Sequence, residues 1–162
     1  MKTVLFVCTG NTCRSPMAEG LLRHALGTGS AFRVRSAGVA ATFGAPASKE
    51  TLGILRESGI ELDGHRSHPI TSDLVREAML ILAMTPLHKE IILELFPEAA
   101  ERVFLVGEFS NDPAMKEIPD PIGGGRSAYI ETRDAIVSAI PSLMDFLRHS
   151  SDIEEAEASG ER

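Results

Sequence analysis

Both cysteines of the chain, Cys8 and Cys13, stand in one short stretch, VCTGNTCRSPMAE, residues 7 to 19, with Arg14 directly behind them. From Cys8 to Arg14 the spacing is C-x5-R. Between a strand and a helix start, a loop of this length can turn the backbone N–H groups of Thr9, Gly10, Asn11, Thr12 and Cys13 inward around a tetrahedral dianion. Gly10 is expected to supply the unusual backbone angles of the turn, and Arg14 to close the cradle with a bidentate fork on two phosphate oxygens. The same N–H groups and helix end favour a thiolate, which makes Cys8 the candidate nucleophile at neutral pH. Attack on phosphorus would give a phosphocysteine, with the loop stabilising the developing charge. Such chemistry also needs an acid for the leaving group. Asp120, held between two prolines in IPDPIGGGR, is the candidate. The plainer alternatives are a cysteine packed as a small hydrophobe at a strand end and an ordinary Asp-Pro turn.

The elements around these residues supply the positioning. Thr3 to Val7 (TVLFV) is a short apolar run that suits a strand buried on both faces. Ser15 and Pro16 read as an N-cap and a first-turn proline, followed by Met17, Leu21, Leu22 and Ala25 at helical spacing and closed by Gly27. Ala31 to Ser36 alternates as a second strand, Ser48 to Ser58 reads as a helix, and Thr71 to Glu77 as a short one. Ala78 to Met84 (AMLILAM) is a third strand, Pro86 to Phe96 an amphipathic helix, and Val103 to Val106 a fourth strand. A loop rich in Pro, Asp and Gly runs from about Gly107 to Gly125, and a last helix from roughly Ala128 to Arg148, which Pro141 should kink or divide. Alternating strands and helices predict an α/β fold, a small three-layer sandwich with a four-stranded parallel sheet flanked by helices on both faces. In such sheets ligands bind beyond the carboxyl ends of the strands, where the Cys8 loop lies.

Composition narrows the function classes. The 162 residues, 43% of them apolar, suffice for one domain with a core. The net charge of −7, with no Lys/Arg run, argues against a nucleic-acid partner, so an anion site must be built locally. No stretch approaches the roughly 20 apolar residues of a membrane span, and MKTVLFVCTG reads as a strand rather than a signal peptide. Two thiols in one loop make a poor structural staple, so the expected location is cytoplasmic. They are also two of the four ligands that a structural zinc needs, so no metal site is expected, and no cofactor.

VLFVCTGNTCRSPMAE, then RSAGV, then the late Asp-Pro loop, resemble the low-molecular-weight protein tyrosine phosphatase family in order along nearly the whole chain. The resemblance implies Cys8 as nucleophile, Arg14 as phosphate clamp and Asp120 as general acid, later a base for the hydrolytic water. It further implies that Asn11 holds the loop in shape, that Ser15 hydrogen-bonds the thiolate, that Ser36 supports Asn11, and that His65 matches a loop-supporting histidine. On this reading residues 1–149 form the phosphatase domain and residues 150–162 an acidic, disordered tail. The acting unit is expected to be a monomer, and the partner a phosphorylated protein.

Two departures bear on the substrate. Members acting on phosphotyrosine usually carry a bulky aliphatic residue where Thr12 stands and aromatic residues after the Asp-Pro, where this chain has Ile122-Gly123-Gly124. Thr12 with this loop resembles the protein-arginine phosphatase branch. A phosphoguanidinium is planar, polar and rich in donors, and suits a hydroxyl and a carboxylate rather than an apolar slot. Phosphotyrosine remains the alternative. Arsenate reduction needs a further downstream cysteine that LILAMTPLHKE (residues 80 to 90) lacks, and a cysteine phosphocarrier has no use for a positioned acid. Cys13, in the same cradle as Cys8, makes a reversible protective disulfide conceivable; a packed thiol is the alternative.

Overall fold

The computed structural model describes residues 1–160. Four parallel strands form the sheet: β1 (Lys2–Cys8), β2 (Phe32–Gly38), β3 (Ala78–Ala83) and β4 (Val103–Leu105), in the order β2-β1-β3-β4. β1 is an inner strand, registered with Val4 opposite Val34 and Cys8 opposite Gly38 on one side, and with Val7 opposite Ala83 on the other. The chain leaves β1 toward β2, then crosses over to β3. The carboxyl end of β1 is therefore the point where neighbouring connections diverge, the position at which sheets of this kind bind ligands.

The strand period of two divides the sheet's side chains between two cores. Val4, Phe6, Leu80 and Leu82 face Met17 and Leu22 of α1 (Arg14–Leu26), Ile54 and Leu55 of α2 (Lys49–Glu57) and Ile136, Ile140, Leu143 and Leu147 of the C-terminal helix. Leu5, Val7, Ile81 and Ala83 face Leu74 and Val75 of α3 (Ser72–Glu77) and Ile92 of α4 (Pro86–Leu95). This is the expected sandwich with helices on both faces.

The C-terminal helix, α5 (Gly125–Ser159), differs from the sequence expectation twice. Pro141 does not divide it. Pro141 and Val137, whose carbonyl loses its partner, both lie on the solvent side, where water can satisfy that group. Nor is the acidic segment from Ser150 to Ser159 an unstructured tail: it continues the helix, because Glu and Ala are good helix formers, and Glu154 pairs with Lys2. The remainder of that expectation, residues 161 and 162, lies outside the described residues. No helix among the described residues is long and apolar enough to cross a membrane.

Candidate active site

β1 ends at Cys8 and α1 begins at Arg14, so the five residues between them form the loop. The left-handed residue in it is Asn11, at φ 57°, the one non-glycine with positive φ among the described residues. This corrects the expectation for Gly10, which keeps negative φ. An Asn tolerates this conformation because its short amide can bond to nearby backbone and side chains, and Asn11 is fully buried and bonded on every side. Its Nδ2 donates to Ser15 Oγ (2.8 Å), its Oδ1 accepts from His68 N (2.9 Å), and its carbonyl oxygen lies 2.8 Å from His65 Nε2.

Cys8 is nearly sealed from solvent. Its Sγ lies 2.9 Å from Ser15 Oγ and receives the Asn11 N–H at 3.3 Å. The Asn11 N–H donates to sulfur, and the Ser15 hydroxyl lies within reach to donate to it or accept from it. Ser15 was expected to cap α1, but Cys13 is the N-cap residue and makes no side-chain cap bond. The Ser15 hydroxyl is occupied instead by Cys8 and Asn11. Pro16 sits within the first turn, where its missing N–H costs no helix bond.

Arg14 is buried and links loop and acid segment: Nη1 donates to the Ile118 carbonyl (3.2 Å) and Nη2 lies 3.7 Å from Asp120 Oδ2. Ile118, fully buried, donates its N–H to Met84 O at the end of β3 (2.8 Å), and Thr132 of α5 donates to Pro119 O (2.9 Å). Anchored on both sides, the segment holds Asp120 half-exposed at the mouth, where Oδ1 accepts the Ile122 N–H (3.1 Å). Arg14 and Asp120, distant in sequence, are thus brought together beside the loop that begins at Cys8.

Ser36 is not bonded to Asn11. Its hydroxyl donates to Glu19 Oε2 (2.6 Å), and that carboxylate faces His65 Nδ1 at 3.7 Å and pairs with Arg23. Ser36 therefore reaches the loop only through Glu19 and His65. Burial raises the Glu19 pKa, but the facing His65 imidazole, the Ser36 bond and the charge of Arg23 outweigh it and hold the carboxyl below its ordinary value. Glu19 is absent from the sequence reading, yet Ser15, Glu19 and Arg23 follow one another at i, i+4 on a single helix face. His68 supports Asn11 by main chain alone, which no side-chain pattern announces.

Thr12 is partly exposed on the rim, with its carbonyl taking the Ser48 N–H. Cys13 turns toward α5, where its Sγ lies 3.4 Å from the hydroxyl of Tyr129. Burial, followed by that bond, pushes the Tyr129 phenol up to about 12. Gly38, from RSAGV, packs against the back of the loop. A Cβ there would strike the Thr9 carbonyl and come within 3.1 Å of Asn11 N. A second residue missing from the sequence reading is His88, in the first turn of α4. It is buried, with Nε2 2.8 Å from Thr9 Oγ1.

The family model for low molecular weight phosphotyrosine protein phosphatase matches residues 3–153. The chain is 41% identical over 145 residues to a protein-arginine-phosphatase of Geobacillus stearothermophilus, covering 90% of this chain and 95% of that protein. It is 35% identical to a probable low molecular weight protein-tyrosine-phosphatase, EpsP, of Ralstonia nicotianae, over 91% of this chain and 97% of that one. Among solved structures, the YwlE arginine phosphatase from Geobacillus stearothermophilus superposes with a TM-score of 0.84 at 40% identity, covering 93% and 95% of the two chains. With the family model spanning most of its length and both relatives covered almost end to end, the chain belongs to the low molecular weight phosphotyrosine protein phosphatase family.

Proposed function

We propose that this protein phosphatase hydrolyses phosphoarginine in proteins, with Cys8 as nucleophile, Arg14 as phosphoryl clamp and Asp120 as acid and then base. The observation that carries the reading is the convergence on Arg14. Its guanidinium reaches the acid segment at the Ile118 carbonyl and Asp120 Oδ2, while its own residue closes the loop that begins at Cys8. In the first step Cys8 Sγ attacks phosphorus, the P–N bond breaks, and the Asp120 carboxyl gives its proton to the departing guanidino nitrogen. In the second, the Asp120 carboxylate takes a proton from water, the water oxygen attacks the phosphocysteine, and the S–P bond breaks to return thiolate and free phosphate. Donors from Ser15 and Asn11 stabilise the thiolate at both ends of the cycle.

Phosphoarginine is favoured over phosphotyrosine by the rim. Thr12 presents a hydroxyl in place of a bulky aliphatic residue, and Ile122, 70% exposed, offers a phenyl ring no aromatic partner after the Asp-Pro. Stacking of that kind is worth about 0.5–1.5 kcal/mol beyond burial. The identity with arginine phosphatases over most of the chain supports the same reading. Every residue in the proposed chemistry comes from one chain, which supports a monomer acting on a phosphorylated protein, and two free thiols suit the reducing cytoplasm. With Cys13 in the same loop, we further propose that peroxide inactivates the enzyme reversibly through a Cys8–Cys13 bond. If Cys13→Ser recovers from peroxide under dithiothreitol as fully as the parent, that protective role is wrong. The substrate is tested by kcat/KM on matched phosphoarginine and phosphotyrosine peptides. A clear phosphoarginine preference is expected, and Thr12→Ile should move it toward phosphotyrosine. A strong phosphotyrosine preference in the parent overturns the substrate assignment.

A further inference from the structure

His88 lies outside the C-x5-R loop and the acid segment, yet it touches the residue that follows the nucleophile. Thr85 caps α4, accepting the His88 N–H (3.2 Å), and so fixes the first turn of that helix. Met84, one residue before the cap, donates its N–H to Val7 O and accepts from Ile118 N. The β3–α4 junction is thereby clamped between the thiol loop and the acid segment, and the imidazole is trapped there, 4% exposed. Its Nε2 meets Thr9 Oγ1 at 2.8 Å, while Nδ1 is buried with no partner.

This asymmetry fixes the proton. A buried N–H without an acceptor is rarer and costlier than a lone pair without a donor. The ring is also neutral: burial, followed by the charge of Arg14, lowers its pKa to about 4, against a smaller opposing pull from Asp120. A neutral ring with a bare Nδ1 carries its one proton on Nε2, and donates it to Thr9 Oγ1. The Thr9 hydroxyl then has its acceptor side occupied and its own proton free. Thr9 is exposed at the rim, with its main chain pinned by the Ala40 N–H on its carbonyl (2.9 Å).

We propose that His88 is a positioning residue that makes the Thr9 hydroxyl an obligate hydrogen-bond donor toward the phosphoryl group of the substrate. Of the groups on a phosphoarginine side chain, only the phosphoryl oxygens accept, since the guanidino nitrogens carry donors. The same holds for the oxygens of any phosphomonoester. The inference therefore rests on the phosphatase chemistry but not on the choice of phosphoarginine, and its test uses para-nitrophenyl phosphate, on which failure of the substrate assignment has no bearing.

Two measurements decide it. Nitrogen-15 spectra of the imidazole at pH 7 should show His88 protonated at Nε2 and bare at Nδ1, and a ring protonated at Nδ1 overturns the proposal. In kinetics, His88→Leu and Thr9→Val should each lower kcat/KM about tenfold, the loss of one hydrogen bond. The double variant should be no worse than Thr9→Val alone. Thr9→Ser, which keeps the hydroxyl, and His88→Gln, which places an amide N–H where Nε2 stood, should recover most of the loss. If the two losses add, or if Thr9→Val is as active as the parent, the pair does not orient a donor and the proposal falls. Should His88→Leu fail to fold, the Thr9 variants and the spectra of the unaltered protein still decide.

Discussion

Replacing Asn11 by Ala separates the backbone strain of the thiol loop from the bonds that hold it. Three contributions are lost at once. The Nδ2 bond to Ser15 and the Oδ1 bond from His68 N disappear, and both partners remain in a site where Asn11 itself is fully buried. A Cβ-bearing residue without a bonding amide must also keep φ at 57°. Two hydrogen bonds of about 1 kcal/mol each, with about 1–2 kcal/mol for left-handed Ala, give roughly 3–5 kcal/mol once the orphaned donor is included. In urea that is a midpoint lowered by about 2 M for a slope near 2 kcal/mol/M. Asn11→Gly relieves the strain and loses only the bonds, so it should unfold between Asn11→Ala and the parent. Asn11→Asp keeps the acceptor for His68 N but turns a carboxylate toward Ser15 and the Cys8 thiolate, and should cost more in turnover than in stability. Urea unfolding is read beside kcat and inhibition by inorganic phosphate. If Asn11→Gly is as unstable as Asn11→Ala, the left-handed conformation costs nothing and the reasoning about the loop is wrong.

Asp120→Asn should lower kcat by about 10²–10⁴-fold while phosphate inhibition stays near the parent value, because the carboxyl moves a proton rather than holding the anion; a threefold loss or less refutes it as the acid. Gly38→Ala should collapse turnover by pushing the Thr9 carbonyl and Asn11 N–H out of place, and a fully active variant refutes that close packing. His88 makes stability depend on pH. Its imidazole takes a proton below 6.5 when unfolded but only near 4 when folded, so stability is full above 6.5 and declines as the pH falls toward 4. The decline is at most about 3 kcal/mol. His88→Gln should flatten the urea midpoint between pH 7 and pH 4.5 relative to the parent, and parallel curves refute the shift.

The residues that could be read from the sequence are those whose partners lie nearby in it. Cys8, Arg14 and Ser15 sit within seven positions, and helical spacing joined Ser15 to Glu19 and Arg23, although Glu19 drew no notice. The strands were legible as unbroken apolar runs because the sheet is covered on both faces. The misreadings share one cause, competition for a polar group. Ser15 looked like a cap, and its hydroxyl went to sulfur; Gly10 looked like the turn residue, and the bonded Asn11 took the left-handed angle. Ser36 was placed in the right neighbourhood but on the wrong partner, because Glu19 intervenes. His88 was hidden by distance: its partner Thr9 is 79 positions away and joined to it only through the order of the strands.

The division of support around the loop also separates reaction from specificity. Asn11 is tied to His65 and His68, both in the connection between α2 and α3, and to Ser15 of α1, and Glu19 of α1 faces His65 in turn. The floor is thus assembled by the whole fold before any phosphate arrives, and binding need not supply the cost of organising it. The rim is built otherwise. Thr12 and Ile122 are partly or largely exposed and carry little of the core. Substitutions at the rim should therefore redistribute kcat/KM among phosphorylated substrates at nearly constant stability, whereas substitutions at the floor should lower stability and turnover together for every substrate. A rim change that unfolds the protein, or a floor change that reverses substrate preference while leaving the urea midpoint in place, would contradict this partition.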